Sequence, residues 1–185
     1  MRLRFFALLA PLLACAPLLS ACDENGLLSE LILSPDTATV ALPGASVGSA
    51  LDIVRTQRDR LVRRPELLED AEQWDVALRR TEAGTLVLRP FIPVGGGLRG
   101  AGLAVSNEAF EQIEDAPRGD GAYGTTPLPV TVNGVYLLRS RQFSGTGFVC
   151  VKYAKLKAVA VDEAAGTARF AMVINDGCDD ERLAD

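Results

Sequence analysis

Apolar residues in this chain come in short runs separated by glycine, proline and polar clusters, and from Thr37 onward the runs are strand-sized. They cover Thr39 to Leu42, Ala50 to Val54, Trp74 to Arg80, Leu86 to Ile92, Leu103 to Val105, Pro129 to Val132 and Val135 to Arg139. Within one of them Trp74, Val76 and Leu78 alternate with Asp75, Ala77 and Arg79, the period of two expected of a strand with one buried face. This rhythm predicts an all-β, compact antiparallel domain with one or two short helices. The helical candidates are Pro65 to Gln73, with proline first and acids in its opening turn, and Asn107 to Glu114, with Asn107 as N-cap and Phe110 and Ile113 three apart.

The last part of the chain predicts its own register. Phe148 to Val161 and Thr167 to Ile174 are β-rich, and Asp162 to Gly166 between them reads as a hairpin loop. If Val161 faces Thr167, then Ala154, Leu156, Ala158 and Ala160 share a core face with Ala168, Phe170, Met172 and Ile174, while Lys155, Lys157 and Arg169 point to water unless a bulge shifts the pairing. The same register sets Cys150 opposite Cys178, at a separation that suits a disulfide. No C-x-x-C spacing suggests a redox role for this pair.

The opposite terminus reads as an export address. Arg2 and Arg4 precede an apolar run from Phe5 to Leu19 that is interrupted by Pro11 and Pro17, too short for the roughly 20 apolar residues of a spanning helix. It ends in Leu19-Ser20-Ala21-Cys22, which resembles the lipobox of bacterial lipoproteins. That resemblance implies removal of residues 1–21 as a signal peptide, lipid attachment at Cys22, a tether over residues 22–36 and a β domain over 37–185, in a lipid-anchored protein of the cell envelope. In that compartment a disulfide persists. Loss of Arg2 and Arg4 takes the formal charge from −5 to −7, which argues against a nucleic-acid partner.

Composition removes several chemistries. The chain contains no histidine, which excludes Ser-His-Asp and Cys-His catalysis and histidine metal sites, and no carboxylate pair is placed for acid-base work, so an enzyme is not expected. Gly95-Gly96-Gly97-Leu98-Arg99-Gly100 spells G-x-G-x-x-G, but a dinucleotide site needs a helix to follow and a strand-like run follows here. Arg118-Gly119-Asp120 sits among turn residues. The acids Glu111, Glu114 and Asp115, like Asp176, Asp179, Asp180 and Glu181, lack the spacing of a calcium loop. Arg55, Arg58, Arg60, Arg63 and Arg64 form a basic run that reads as a solvated segment or an anion contact.

In order along the chain, Ala50-Leu51-Asp52-Ile53-Val54, Trp74-Asp75-Val76-Ala77-Leu78, the loop Gly95 to Gly102, Phe110-Glu111-Gln112-Ile113 with Ala116-Pro117, Gly134 to Arg139 and Tyr153-Ala154-Lys155-Leu156-Lys157 resemble the succession in the HmuY-like family of bacterial lipoproteins. The resemblance implies an all-β, membrane-anchored binding protein that takes heme and passes it to an outer-membrane transporter. Members of the family hold heme iron between histidines, which are absent here; Arg79 and Arg80 stand where many relatives carry a histidine. Some relatives use methionines, and Met172, the one methionine after processing, reads as a packing residue. The ligand-binding candidates are therefore Arg79, for a carboxylate, with Tyr136 and Tyr153, since tyrosinate is an accepted axial ligand and Tyr123 offers a third phenol. The alternative is an envelope lipoprotein that docks on other proteins and takes no small ligand.

Overall fold

The strand-sized runs become twelve strands in a computed structural model that describes residues 33–54, 61–95, 97–144 and 148–184. They are β1 (Leu33–Ala41), β2 (Ala50–Leu51), β3 (Val62–Arg63), β4 (Val76–Arg80), β5 (Leu86–Pro90), β6 (Gly102–Ser106), β7 (Leu128–Pro129), β8 (Val135–Arg139), β9 (Phe143–Ser144), β10 (Val149–Cys150), β11 (Tyr153–Asp162) and β12 (Thr167–Asn175). Met1 to Ala21, Cys22 and most of the tether lie outside the described residues, as do Arg55, Arg58 and Arg60. Among the described residues no helix is long and apolar enough to cross a membrane.

A five-stranded antiparallel sheet has the order β1-β12-β11-β8-β6, and a second one the order β3-β2-β4-β5-β7; β9 and β10 form a separate ribbon. The all-β expectation holds. The first strand pairs with the last along its whole length, from Leu33 opposite Asn175 to Ala41 opposite Thr167, so residues 33–36 at the end of the expected tether are paired in the sheet. Leu51, Val76, Leu78 and Leu88 of the second sheet meet Leu138, Leu156, Phe170 and Met172 of the first in one apolar core, the usual way two sheets hide their facing sides.

Neither helical candidate forms beyond a single 3₁₀ turn, Leu68–Asp70 and Phe110–Gln112. The residues before these turns are Leu67 and Ala109, which have no side chain to cap an N-terminus, and Asn107 does not reach that position. One turn without a cap leaves nucleation uncompensated.

The hairpin follows the predicted register through Ala154 opposite Ile174, Leu156 opposite Met172 and Ala158 opposite Phe170. A bulge at Val159 then shifts it by one, so that Asp162, not Val161, faces Thr167. Ala160 is consequently exposed, and Val161 turns toward the core. Cys150 and Cys178 keep the unshifted register and are joined, with Cα atoms 5.5 Å apart; a closed loop of this size stabilises a fold by about 3 to 4 kcal/mol on the chain-entropy account. Met172 is buried as a packing residue.

Of the three basic residues expected to point to water from the outer face of the hairpin, Arg169 is exposed and Lys157 half-buried, but Lys155 is not wet. Lys155 is 4% exposed, and its Nζ donates to the Ile113 carbonyl at 2.8 Å and lies 5.1 Å from the centre of the Phe110 ring. The segment between β6 and β7 crosses this face, bringing Ile113, Ala116 and Tyr123 onto Val135, Leu137 and Tyr153, with Leu183 closing the cluster. Backbone bonds from Ala116 to Glu181 (2.7 Å) and from Leu183 to Glu114 (2.6 Å) tie the C-terminal tail to that segment. The outer face of the first sheet is thus covered over β8 and the start of β11, while Thr37, Thr39 and Arg169 on β1 and β12 stay exposed, a partial cover that hairpin alternation by itself does not reveal.

The bulge makes two neighbouring alanines behave differently. Ala160→Lys is expected to change unfolding free energy by no more than about 0.5 kcal/mol, whereas Ala158→Lys, which forces an amine into the core, should cost several kcal/mol or prevent folding. Urea denaturation of the two variants measures the contrast.

Candidate functional site

Two acids interrupt the apolar runs at one end of the second sheet: Asp52 directly after β2 and Asp75 directly before β4. Neither is exposed. The connection leaving β8 in the first sheet carries Arg141 between them. Its Nη1 donates to Asp52 Oδ1 at 3.1 Å and to Asp75 Oδ1 at 3.0 Å, and its backbone N–H donates to Asp75 Oδ1 at 2.8 Å. Asp75 Oδ2 accepts the Ile53 N–H at 2.7 Å. Asp52 Oδ2 accepts both Nε and Nη2 of Arg63, at 3.2 and 3.1 Å, and Arg63 Nη1 reaches Asp70 at 3.1 Å. Three carboxylates therefore face two guanidiniums. Burial raises Asp75 from 3.8 to about 6, against the opposing pull of Arg141 and with reinforcement from Asp52.

Beside this network lies an open cavity of about 260 Å³. Phe91, Val94 and Leu98 form its apolar wall, and Glu72, Arg99, Arg141 and Gln142 its polar one. The wall belongs to the glycine loop between β5 and β6, whose Gly95 and Gly97 take φ values of 94° and 116° that strain any residue with a Cβ. At Gly100 a Cβ would run into the Phe91 carbonyl oxygen. Gln142 staples the loop in place: its N–H donates to the Arg99 carbonyl at 2.8 Å, and its side-chain Oε1 accepts the Arg99 N–H at 2.7 Å. The loop leads into β6, not into a helix, so no helix N-terminus stands ready for a pyrophosphate. A second cavity of about 420 Å³ lies near β6 and β8, bordered by Ser106, Glu108, Glu111, Asn133 and Lys157.

The three residues expected to bind a ligand are not brought together, and none lines the cavity beside Arg141. Arg79 is half-buried on the second sheet, where Nη1 donates to the Leu78 carbonyl at 2.8 Å and to Ser49 Oγ at 3.3 Å. Tyr136 belongs to the core between the sheets; its hydroxyl donates to the Pro129 carbonyl at 2.8 Å and accepts the Thr131 N–H at 3.1 Å. Tyr153 lies in the cluster on the other face of the first sheet, 6.0 Å from the Tyr123 ring. The Tyr123 hydroxyl is buried without a hydrogen-bond partner, and its ring sits 5.3 Å from the Arg139 guanidinium. Burial pushes both Tyr123 and Tyr153 above the usual phenol range, which makes tyrosinate costly. These phenols do not fit axial ligation of heme iron: one is committed to backbone partners, and two are buried in their neutral form.

Of the basic run, the described Arg63 is buried in the ion network and Arg64 is bonded to the Ser46 carbonyl. Several of the acids that lack calcium-loop spacing are engaged in pairs and backbone bonds. Lys152 Nζ reaches Asp176 at 2.9 Å, Asp179 accepts the Val151 N–H at 3.0 Å, and Asp180 pairs with Arg182 at 2.6 Å. Sequence reasoning passed over Asp52 and Asp75. Their signal was available, because an acid flanked on both sides by apolar residues inside a strand-sized run is either a bulge to solvent or a buried partner of a cation.

The raised Asp75 sets a pH dependence whose sign follows from its direction. A carboxyl that ionises less readily in the fold than in the unfolded chain contributes most at low pH, and that contribution is lost as pH rises through about 6. The shift corresponds to about 3 kcal/mol. Asp75→Asn lacks this dependence, so the stability difference between the parent and Asp75→Asn should fall by about that amount between about pH 3 and pH 7. Denaturation of both proteins across the range measures it; a constant difference would mean that Asp75 titrates normally.

Compared with models of protein families, with curated proteins and with solved structures, the chain matches none.

Proposed function

We propose that this chain is a lipid-anchored binding protein of the bacterial cell envelope, of the HmuY-like type and without enzymatic activity, whose ligand site is the cavity beside Arg141. The observation that carries this reading is the juxtaposition there of apolar Phe91, Val94 and Leu98 with a few charged side chains, Arg99 and Arg141 against Glu72, on a wall pinned by Gln142. Small-ligand sites combine an apolar lining with a few placed polar groups in this way. The volume of about 260 Å³ falls just below the ~300 to 1,000 Å³ of typical small-ligand pockets. It suits a compact apolar molecule with an anionic group, or one edge of a larger molecule such as a porphyrin. A guanidinium is the side chain best shaped to receive a carboxylate. Heme, if taken, is held by its ring and carboxylates rather than by its iron.

This reading separates from its rivals in one titration. The protein is expected to bind ferric heme and iron-free porphyrin saturably and with similar affinity, and Leu98→Asp should weaken both about tenfold or more. A change in the heme absorption band that requires iron and disappears with one Tyr→Phe substitution would overturn the unligated mode. Absence of saturable binding by either compound would favour a lipoprotein that docks on other proteins.

The anchor is tested separately. Cys22→Ser is expected to move the protein from the membrane fraction to the soluble one; retention in the membrane fraction would sink the lipoprotein reading.

A further inference from the structure

Apolar tips crowd one end of the sandwich, and it is the end from which the chain upstream of β1 departs. Leu33 pairs with Asn175, Asn175 with Tyr153, Tyr153 with Arg139 and Arg139 with Gly102, so these residues form one rung across the first sheet. Just beyond that rung lie the glycine loop and the β9–β10 ribbon, joined by the Gln142 to Arg99 backbone bond. Five of the ten exposed large apolar side chains among the described residues are in these two segments: Ile92 (54%), Val94 (98%), Leu98 (44%), Phe148 (78%) and Val149 (51%). The opposite end, formed by the hairpin loop Asp162 to Gly166, presents exposed Asp162 and Glu163.

We infer that the end carrying Val94, Leu98 and Phe148 is the face the protein lays on the membrane to which its N-terminus is anchored. This rests on the lipid-anchor reading. Leu33 lies eleven residues after Cys22, a length of chain that reaches at most roughly 36 to 40 Å. Strands about 4.8 Å apart place Leu33 within roughly 20 Å of the glycine loop's exit at Gly102, so such an anchor allows these tips to touch the bilayer. The far end stands off by the length of β1, roughly 30 Å for nine residues. Aliphatic and phenyl side chains of this kind enter the headgroup and acyl boundary of a bilayer. The charges around them, Glu72 as against Arg99 and Arg141, are of both signs. The contact is therefore an apolar one, expected to survive high salt, and the ligand cavity opens toward the lipid.

The test uses the full lipidated chain in phosphatidylcholine vesicles with brominated acyl chains, with tryptophan introduced singly as Val94→Trp, Phe148→Trp or, at the far end, Val132→Trp. The signal of the native Trp74 is subtracted using the parent protein. Flotation of the vesicles reads the anchor; quenching by bromine reads the face. The expected result is flotation of all three variants, with quenching at positions 94 and 148 several-fold stronger than at 132 and unchanged at high salt. Flotation with equal or no quenching leaves the anchor standing and overturns the inferred face. Emission at 94 and 148 that shifts with protein concentration but not with bromine assigns the patch to a second copy of the chain and overturns it as well. Failure to float overturns both the anchor and the face that depends on it.

Discussion

The guanidinium of Arg141, held between two carboxylates that see no solvent, is the constraint on which the working end of this molecule depends. It comes from the first sheet, and Asp52 and Asp75 belong to the second, so a single side chain and its backbone N–H lock the two layers together at one end. Buried charges are costly to bring out of water, and their mutual attraction offsets that cost only when nearly every lone pair and proton is satisfied. Here the two Asp75 oxygens accept three N–H groups, and Asp52 receives both arginines. Burial of the carboxyl raises Asp75 even so, with the charge of Asp52 adding to the effect and Arg141 opposing it.

From that lock the cavity follows. Arg141 is both a member of the network and part of the cavity wall, and the next residue, Gln142, holds the glycine loop by its backbone and its side chain. The loop needs glycines because two of its residues have positive φ and a third lies against a carbonyl oxygen. A wall built in this way is set by backbone conformation and hydrogen bonds, with Phe91 packed on Trp74 at its base. Its outer residues, Val94 above all, can remain exposed without loosening the fold.

The two faces of the first sheet have different work. One packs against the second sheet and supplies most of the core. The other is roofed by the segment between β6 and β7 and by the C-terminal tail, which buries Lys155 by giving its amine the Ile113 carbonyl. That arrangement covers the middle of the outer face and leaves Thr37, Thr39 and Arg169 exposed at its β1–β12 edge. The ends of the sandwich differ in chemistry: one carries aliphatic and phenyl tips beside a cavity lined by charges of both signs, the other a short acidic hairpin loop.

Hydrophobic alternation and turn residues were enough to predict an antiparallel β protein, most of its strands, the Ala154 to Ala158 register and the Cys150–Cys178 bridge, because each depends on neighbours in sequence or on pairing across one short loop. The bulge at Val159 was not legible, since a bulge is decided by twist and by what Val161 meets in the core. The burial of Lys155 was equally hidden. A lysine opposite a core face reads as wet until a distant segment covers it. Asp52 and Asp75 show the same limit most clearly: they lie twenty-three residues apart and their shared cation sixty-six residues further on. Local pattern marks each as an acid in an apolar run. Only tertiary structure decides that they meet on one guanidinium, because that meeting requires two sheets to close on each other.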